Sequence, residues 1–155
     1  MNMQTLVVYF SKFGNTQKVA EAISERLGGN GYVRTMSSDE LIADALQEVD
    51  LVVMGSPTHN MNLPKAVQPV FDNLPKRILR GTPVAVFDTS YKMSAFLSRF
   101  TAAKKLAKKL RKLGGKPLLP PETFHVMERE GPLFEGEMER AQSWADSITE
   151  KMLEK

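Results

Sequence analysis

The sequence contains no cysteine. That absence excludes disulfides, thiolate-ligated zinc, iron–sulfur clusters and a cysteine nucleophile, and it agrees with a reducing, cytoplasmic setting. Long apolar runs are missing too, none approaching the roughly 20 residues that cross a bilayer. No basic n-region followed by an apolar h-region opens the chain, because Gln4 and Thr5 lead straight into a strand-like run. Neither a membrane partner nor a secretory leader is therefore expected. The Walker GxxxxGKS/T signature and the GxGxxG of dinucleotide folds are both absent. Acidic residues vanish over one stretch: Thr89 to Pro121 holds nine basic residues and no acid, within a chain whose net charge is only +3.

What is present suits one globular domain, taken as 1–155. The chain has 155 residues, 42% hydrophobic and 25% charged, enough apolar material for a real core. Strand and helix signals alternate. Thr5 to Phe10 is nearly continuous in apolar residues, as a strand covered on both faces should be. A helical pattern follows through Val19, Ala20, Ile23 and Leu27, and the GGNG at residues 28–31 ends it. Tyr32 to Met36 reads as a second strand, and Leu41, Ile42, Ala45, Leu46 and Val49 predict a helix closed by Asp50. Leu51 to Gly55 predicts a third strand. Pro64 fits the first turn of a helix carrying Val67, Val70, Phe71 and Leu74, which Pro69 should bend or shorten. Thr82 to Phe87 predicts a fourth strand and Ala95 to Leu113 a long amphipathic helix. Pro117, Pro120 and Pro121 push the fifth strand into ETFHVM, and a last helix is expected from about Glu135 to Leu153.

Five βα units with short connections predict an α/β fold of three αβα layers around a five-stranded parallel sheet. In such sheets ligands bind where the carboxyl ends of the strands share one edge. Three loops fall there: residues 11–16, 55–63 and 88–96. In SKFGNT, Gly14 permits positive φ and a close approach of the backbone. Ser11, Asn15 and Thr16 add side-chain donors, with Lys12 nearby. Free amides at a helix amino end, together with the helix dipole, make an anion site. The plainer reading is an ordinary strand-to-helix turn with an N-cap.

Taken together, SKFGNT, GSPTHNMNLP and VAVFDTSYKMSAF resemble the phosphate loop and the two flavin-flanking loops of flavodoxins, over nearly the whole chain. The resemblance is to the short-chain form, since no long insertion interrupts the fifth strand. It implies FMN as cofactor and strand order 2-1-3-4-5, for which flavodoxin is itself the type case. By position it implies Ser11, Phe13, Gly14, Asn15 and Thr16 around the phosphate. Pro57, Thr58, His59, Asn60 and Met61 would line one side of the isoalloxazine ring, and Asp88, Thr89, Ser90 and Tyr91 the other. Phe13 replaces a hydroxyl residue usual in the loop. His59 or Met61 takes the place of the usual Trp, and either Tyr91 or Phe96 that of the usual Tyr. His125 reads as structural. Typical flavodoxins are strongly acidic, whereas this chain has a sequence pI of about 9.2, so a higher potential for the fully reduced flavin and a different docking partner are expected.

The leading functional expectation is an electron carrier, with no catalytic residue beyond the FMN site. It would exchange electrons with protein partners, a reductase and an acceptor, through the basic face at 92–116. The alternatives are an FMN-dependent NAD(P)H quinone or flavin reductase, in which His59 assists proton transfer, and a binding module of the same fold without cofactor. Nucleic-acid binding is the weaker reading of the basic helix. Its KKLAKKLRK spacing turns Leu106, Leu110 and Leu113 inward, as any core-packed helix with a solvated face would show.

Overall fold

In the computed structural model of the chain, the structure describes residues 2–59, 62–92 and 101–154. One parallel sheet runs through it. Strand β1 (Met3–Tyr9) lies between β2 (Gly31–Ser37) and β3 (Leu51–Pro57), and β4 (Pro83–Tyr91) follows β3. The free side of β4 is taken by two short pieces, β5 (Lys116–Pro117) at its start and β6 (Glu122–Val126) at its end. The order 2-1-3-4-5 thus holds, with the fifth position broken in two. Pro120 and Pro121 fall in the break, where their missing N–H groups would leave the ladder without donors.

Side chains alternate strictly along the central strands, which explains their unbroken apolar runs. Leu6, Val8, Val52, Met54, Val84 and Val86 enter one core, beneath α2 (Val67–Asp72) and α3 (Ala102–Lys112). Val7, Leu51, Val53, Ala85 and Phe87 enter the other, beneath α1 (Asn15–Leu27) and α4 (Glu137–Leu153). There Phe87, Phe124 and Trp144 meet edge to face, with ring centroids 5.9 to 6.1 Å apart, a favoured arrangement of aromatic quadrupoles. Gly55 in β3 is required by this packing, since a Cβ there would sit 2.0 Å from the Phe87 ring.

Two expectations change. Residues 41–49 form no α-helix; they carry one 3₁₀ turn at Ala43–Leu46, after another at Ser38–Glu40. Ile42 is extended (φ −127°, ψ 159°) and Glu48 is left-handed (φ 59°), so no α-helical ladder spans the segment. Ala45 and Leu46 still reach the core, while Ile42 faces solvent. The second change is at α3, which begins at Ala102 with Thr101 in extended backbone; the rest of its expected start, residues 95–100, lies outside the described residues. Helix α2 has only six residues and starts late enough to hold Pro69 in its first turn, where the missing N–H costs no intrahelical bond.

Candidate functional site

The carboxyl ends of β1, β3, β4 and β6 surround a cleft of about 350 Å³, within the size range of small-ligand pockets, about 300–1,000 Å³. Its floor at one end is the start of α1. Gly14 caps that helix in left-handed backbone (φ 92°) and no side chain caps it. A Cβ at Gly14 would touch nothing within 4 Å, so glycine is needed there for its backbone, not for space. The Gly14 amide donates to Ser11 Oγ at 3.1 Å. Beyond it, the amides of Asn15, Thr16 and Gln17 have no acceptor among the described residues. Three adjacent N–H groups at the positive end of a helix attract an anion.

Two of the side chains expected around that anion, Asn15 and Thr16, also make contacts within the chain. Thr16 Oγ1 lies 2.9 Å from Thr89 Oγ1, with both residues buried. Asn15 Nδ2 donates to the Glu130 carbonyl at 3.1 Å. That contact ties the β6–α4 loop to α1, and the close approach of Gly131 (φ 107°) admits it: a Cβ there would sit 2.7 Å from Asn15 Oδ1. Backbone amides thus form the core of the cradle, and the Ser11 hydroxyl, an acceptor toward Gly14, keeps its own hydrogen to donate.

Pro57, Thr58 and His59 form one wall of the cleft, and Thr89, Ser90 and Tyr91 the other. The walls are tied where the Thr58 amide donates to the Thr89 carbonyl at 2.9 Å. His59 and Asn62 exchange amide–carbonyl bonds of 2.8 and 2.9 Å. Asn60, Met61 and Phe96 lie outside the described residues. The half-exposed Tyr91 and Phe13 rings stand at the rim, and Lys12 Nζ sits 5.4 Å from the Phe13 centroid.

Asp88 is not in the cleft. The pleat sends its side chain to the opposite face, fully buried beneath the start of α3. There Oδ2 accepts from the Ala103 amide at 2.8 Å and from Thr58 Oγ1 at 3.1 Å, and Thr58 Oγ1 in turn accepts the Ala102 amide at 3.1 Å. Burial pushes the Asp88 carboxyl above its usual range, against the pull of Thr123, the Ala103 amide, Thr101 and Thr58. Neither Thr123 nor Thr101 completes a hydrogen bond to Oδ1, which has no partner among the described residues. Asp88 is a helix cap. The backbone amide of His125 donates to Glu137 Oε2 at 2.6 Å, which anchors the start of α4 to β6, while its Nδ1 is buried with no partner among the described residues.

Val126 and Arg129 line the cleft without having been expected there. Nothing local in MEREG marks Arg129; the β6–α4 loop delivers it from more than 100 residues beyond Gly14. Its charge is felt at His59, whose pKa is lowered first by partial burial, then by Lys12 and by Arg129. Among the described residues no cluster of acids and histidines is arranged to hold a metal, and no helix is long and apolar enough to cross a membrane.

Comparison with known proteins agrees with this geometry. A family model for the flavodoxin domain matches residues 6–133. A flavodoxin of Clostridium saccharobutylicum is 32% identical over 90 residues, spanning 57% of this chain and 56% of that protein. One of a Picosynechococcus species is 28% identical over 116 residues, spanning 74% and 68%. The chain thus spans just over half to two thirds of these relatives' lengths. Among solved structures, flavodoxin 2 of Bacillus cereus superimposes with a TM-score of 0.78 over 96% of this chain and 99% of that one, at 21% identity. A flavodoxin from the domain Archaea gives 0.74 over 96% and 98%, at 22% identity.

Proposed function

Since the chain belongs to the flavodoxin family, we propose that its cleft binds FMN and that the protein carries electrons between redox partners. Bound FMN supplies the redox chemistry; the chain binds, orients and tunes it. The observation that carries this reading is the row of unpartnered amides at the start of α1, opening into a cleft with two loop walls. Ser11, Phe13, Gly14, Asn15 and Thr16 would surround the phosphate, with the free amides of Asn15, Thr16 and Gln17 donating to it. Pro57, Thr58 and His59 would lie along one side of the ring, together with Asn60 and Met61. Thr89, Ser90 and Tyr91 would lie along the other, with Tyr91 or Phe96 as the aromatic partner. Lys12 and Arg129 add positive charge at the cleft, which favours an anionic ligand. This reading has one domain in a reducing, cytoplasmic setting, with the basic face at 92–116 meeting the partners.

The visible spectrum of the purified protein, before and after adding FMN, tests the cofactor. Gly14→Val then tests the cradle. The Cβ of the new side chain meets no neighbour within 4 Å and the φ of 92° strains any residue but glycine, so its effect comes chiefly through strained backbone and displaced amides. FMN affinity should fall by about tenfold or more while riboflavin affinity changes by less than about threefold, because only FMN carries the phosphate. Equal losses for the two ligands would show that the phosphate sits elsewhere.

A further inference from the structure

A second cavity, of about 420 Å³, lies between α2 and α3 and belongs to no part of the cleft described above. Lys105, Lys108, Lys109 and Lys112 recur at i, i+3, i+4 and i+7, so they form one stripe along α3, and Lys65 faces them from the other wall. The floor is apolar: Leu63, Pro64 and Val67. Asp72 is the only acid in either helix, and Gln68 Nε2 donates to it at 2.7 Å. Among the described residues no ion pair joins Lys65, Lys108, Lys109 or Lys112 to a carboxylate. Ammonium groups gathered around one groove repel one another, and the four at Lys65, Lys108, Lys109 and Lys112 leave positive charge there for an outside partner to neutralise.

We propose that this groove docks an Asp/Glu-rich segment of a redox partner protein. It rests on the electron-carrier reading for the partner's role, though not for the binding chemistry. Two features favour a protein carboxylate over a nucleic acid. The charges are all lysine, compact and strongly hydrated, without the guanidinium forks that grip phosphates bidentately. Among the described residues the groove also offers no exposed ring for base stacking, since Phe71 is buried under Lys109. The apolar floor suits the methylene stems and flanking apolar residues of a peptide. The groove is further linked to the cleft: Lys105 Nζ donates to Asn62 Oδ1 at 3.0 Å, and Asn62 pairs through its backbone with His59. A partner seated there lies against the loop that walls the proposed flavin site.

The test uses the full chain and a fluorescein-labelled peptide of about twelve Asp and Glu residues, followed by fluorescence anisotropy at low salt. Lys108→Gln with Lys112→Gln should weaken peptide binding about tenfold and flatten its salt dependence. Arg111→Gln with Lys116→Gln, which lie off the groove, should change it less than about twofold. Equal losses from the two pairs would reduce the groove to general positive charge and overturn the proposal. So would an absence of saturable binding, or tighter binding of a single-stranded DNA of matched charge that is lost with Lys108 and Lys112. FMN absorbance is read on the same samples. Colourless wild-type protein that still binds the peptide through Lys108 and Lys112 would sink the carrier reading and leave the groove standing.

Discussion

At the scale of single residues, the cleft is governed by what each side chain has already committed. Gly14 was legible from the sequence, because a glycine between a strand and a helix start has few other uses. Asp88 was not. Its neighbours in the chain point to the cleft, and only the pleat turns it to the other face. His59 sits on the cleft wall with its pKa below the ordinary value of 6.5, through partial burial and then the charges of Lys12 and Arg129. The imidazole is accordingly neutral at pH 7. The unfolded chain binds that proton more readily than the folded one, so His59 makes the fold lose stability as pH falls through the ordinary histidine range. Lys12→Gln should raise the His59 pKa, and Arg129→Gln should raise it by less. Imidazole proton shifts across a pH titration measure both; no movement in either variant would remove Lys12 and Arg129 from the site's electrostatics.

At the scale of elements, α3 shows how a helix start is built from distant strands. Its first amides end on Thr58 after β3 and on Asp88 in β4, not on a neighbouring side chain. Asp88→Ala would leave the Ala103 amide without its acceptor, a loss of about 2 kcal/mol in stability. Asp88→Asn keeps an acceptor and should cost far less. The pH dependence separates them from the parent. The folded pKa of Asp88 is raised, so the folded chain holds this proton more tightly than the unfolded one. The resulting stability is full below the ordinary aspartate value and declines as pH rises from there toward the folded value. Urea midpoints at acidic and neutral pH should show that decline in the parent and not in Asp88→Asn. Residues 41–49 teach the converse lesson. Their apolar spacing matches a helix, yet the chain meets the core through a 3₁₀ turn, because backbone breaks at Ile42 and Glu48 leave no such pattern in the sequence.

For the whole molecule, the relevant quantity is the distribution of charge. The positive residues gather on α3 and the groove beside it, next to the loop that walls the cleft, while Lys12 and Arg129 add to the cleft itself. A positive field stabilises the fully reduced, more anionic flavin, so the final one-electron step of bound FMN should lie at a higher potential than in strongly acidic flavodoxins. Added salt should lower it, because the field is screened over about 10 Å at 0.1 M ionic strength. A redox titration at two salt concentrations checks the value and its direction of change. A potential as low as in acidic relatives, or one that salt leaves unmoved, would refute the argument.

The order of the strands, three of the helices, the two-faced core and a glycine-bearing turn at the start of α1 were legible in the sequence alone. Each rests on local signals: unbroken apolar runs, helical spacing, and a glycine at a strand-to-helix junction. Tertiary structure decided what local signals cannot carry. It brought Arg129 to the cleft and Gly131 against α1, turned Asp88 away from the cleft, paired Thr16 with Thr89, and set Lys65 opposite the α3 lysines. The physical reason is the same in each case: these contacts join residues far apart in the chain, and only the sheet register and the packing of helices upon it fix which side chains meet.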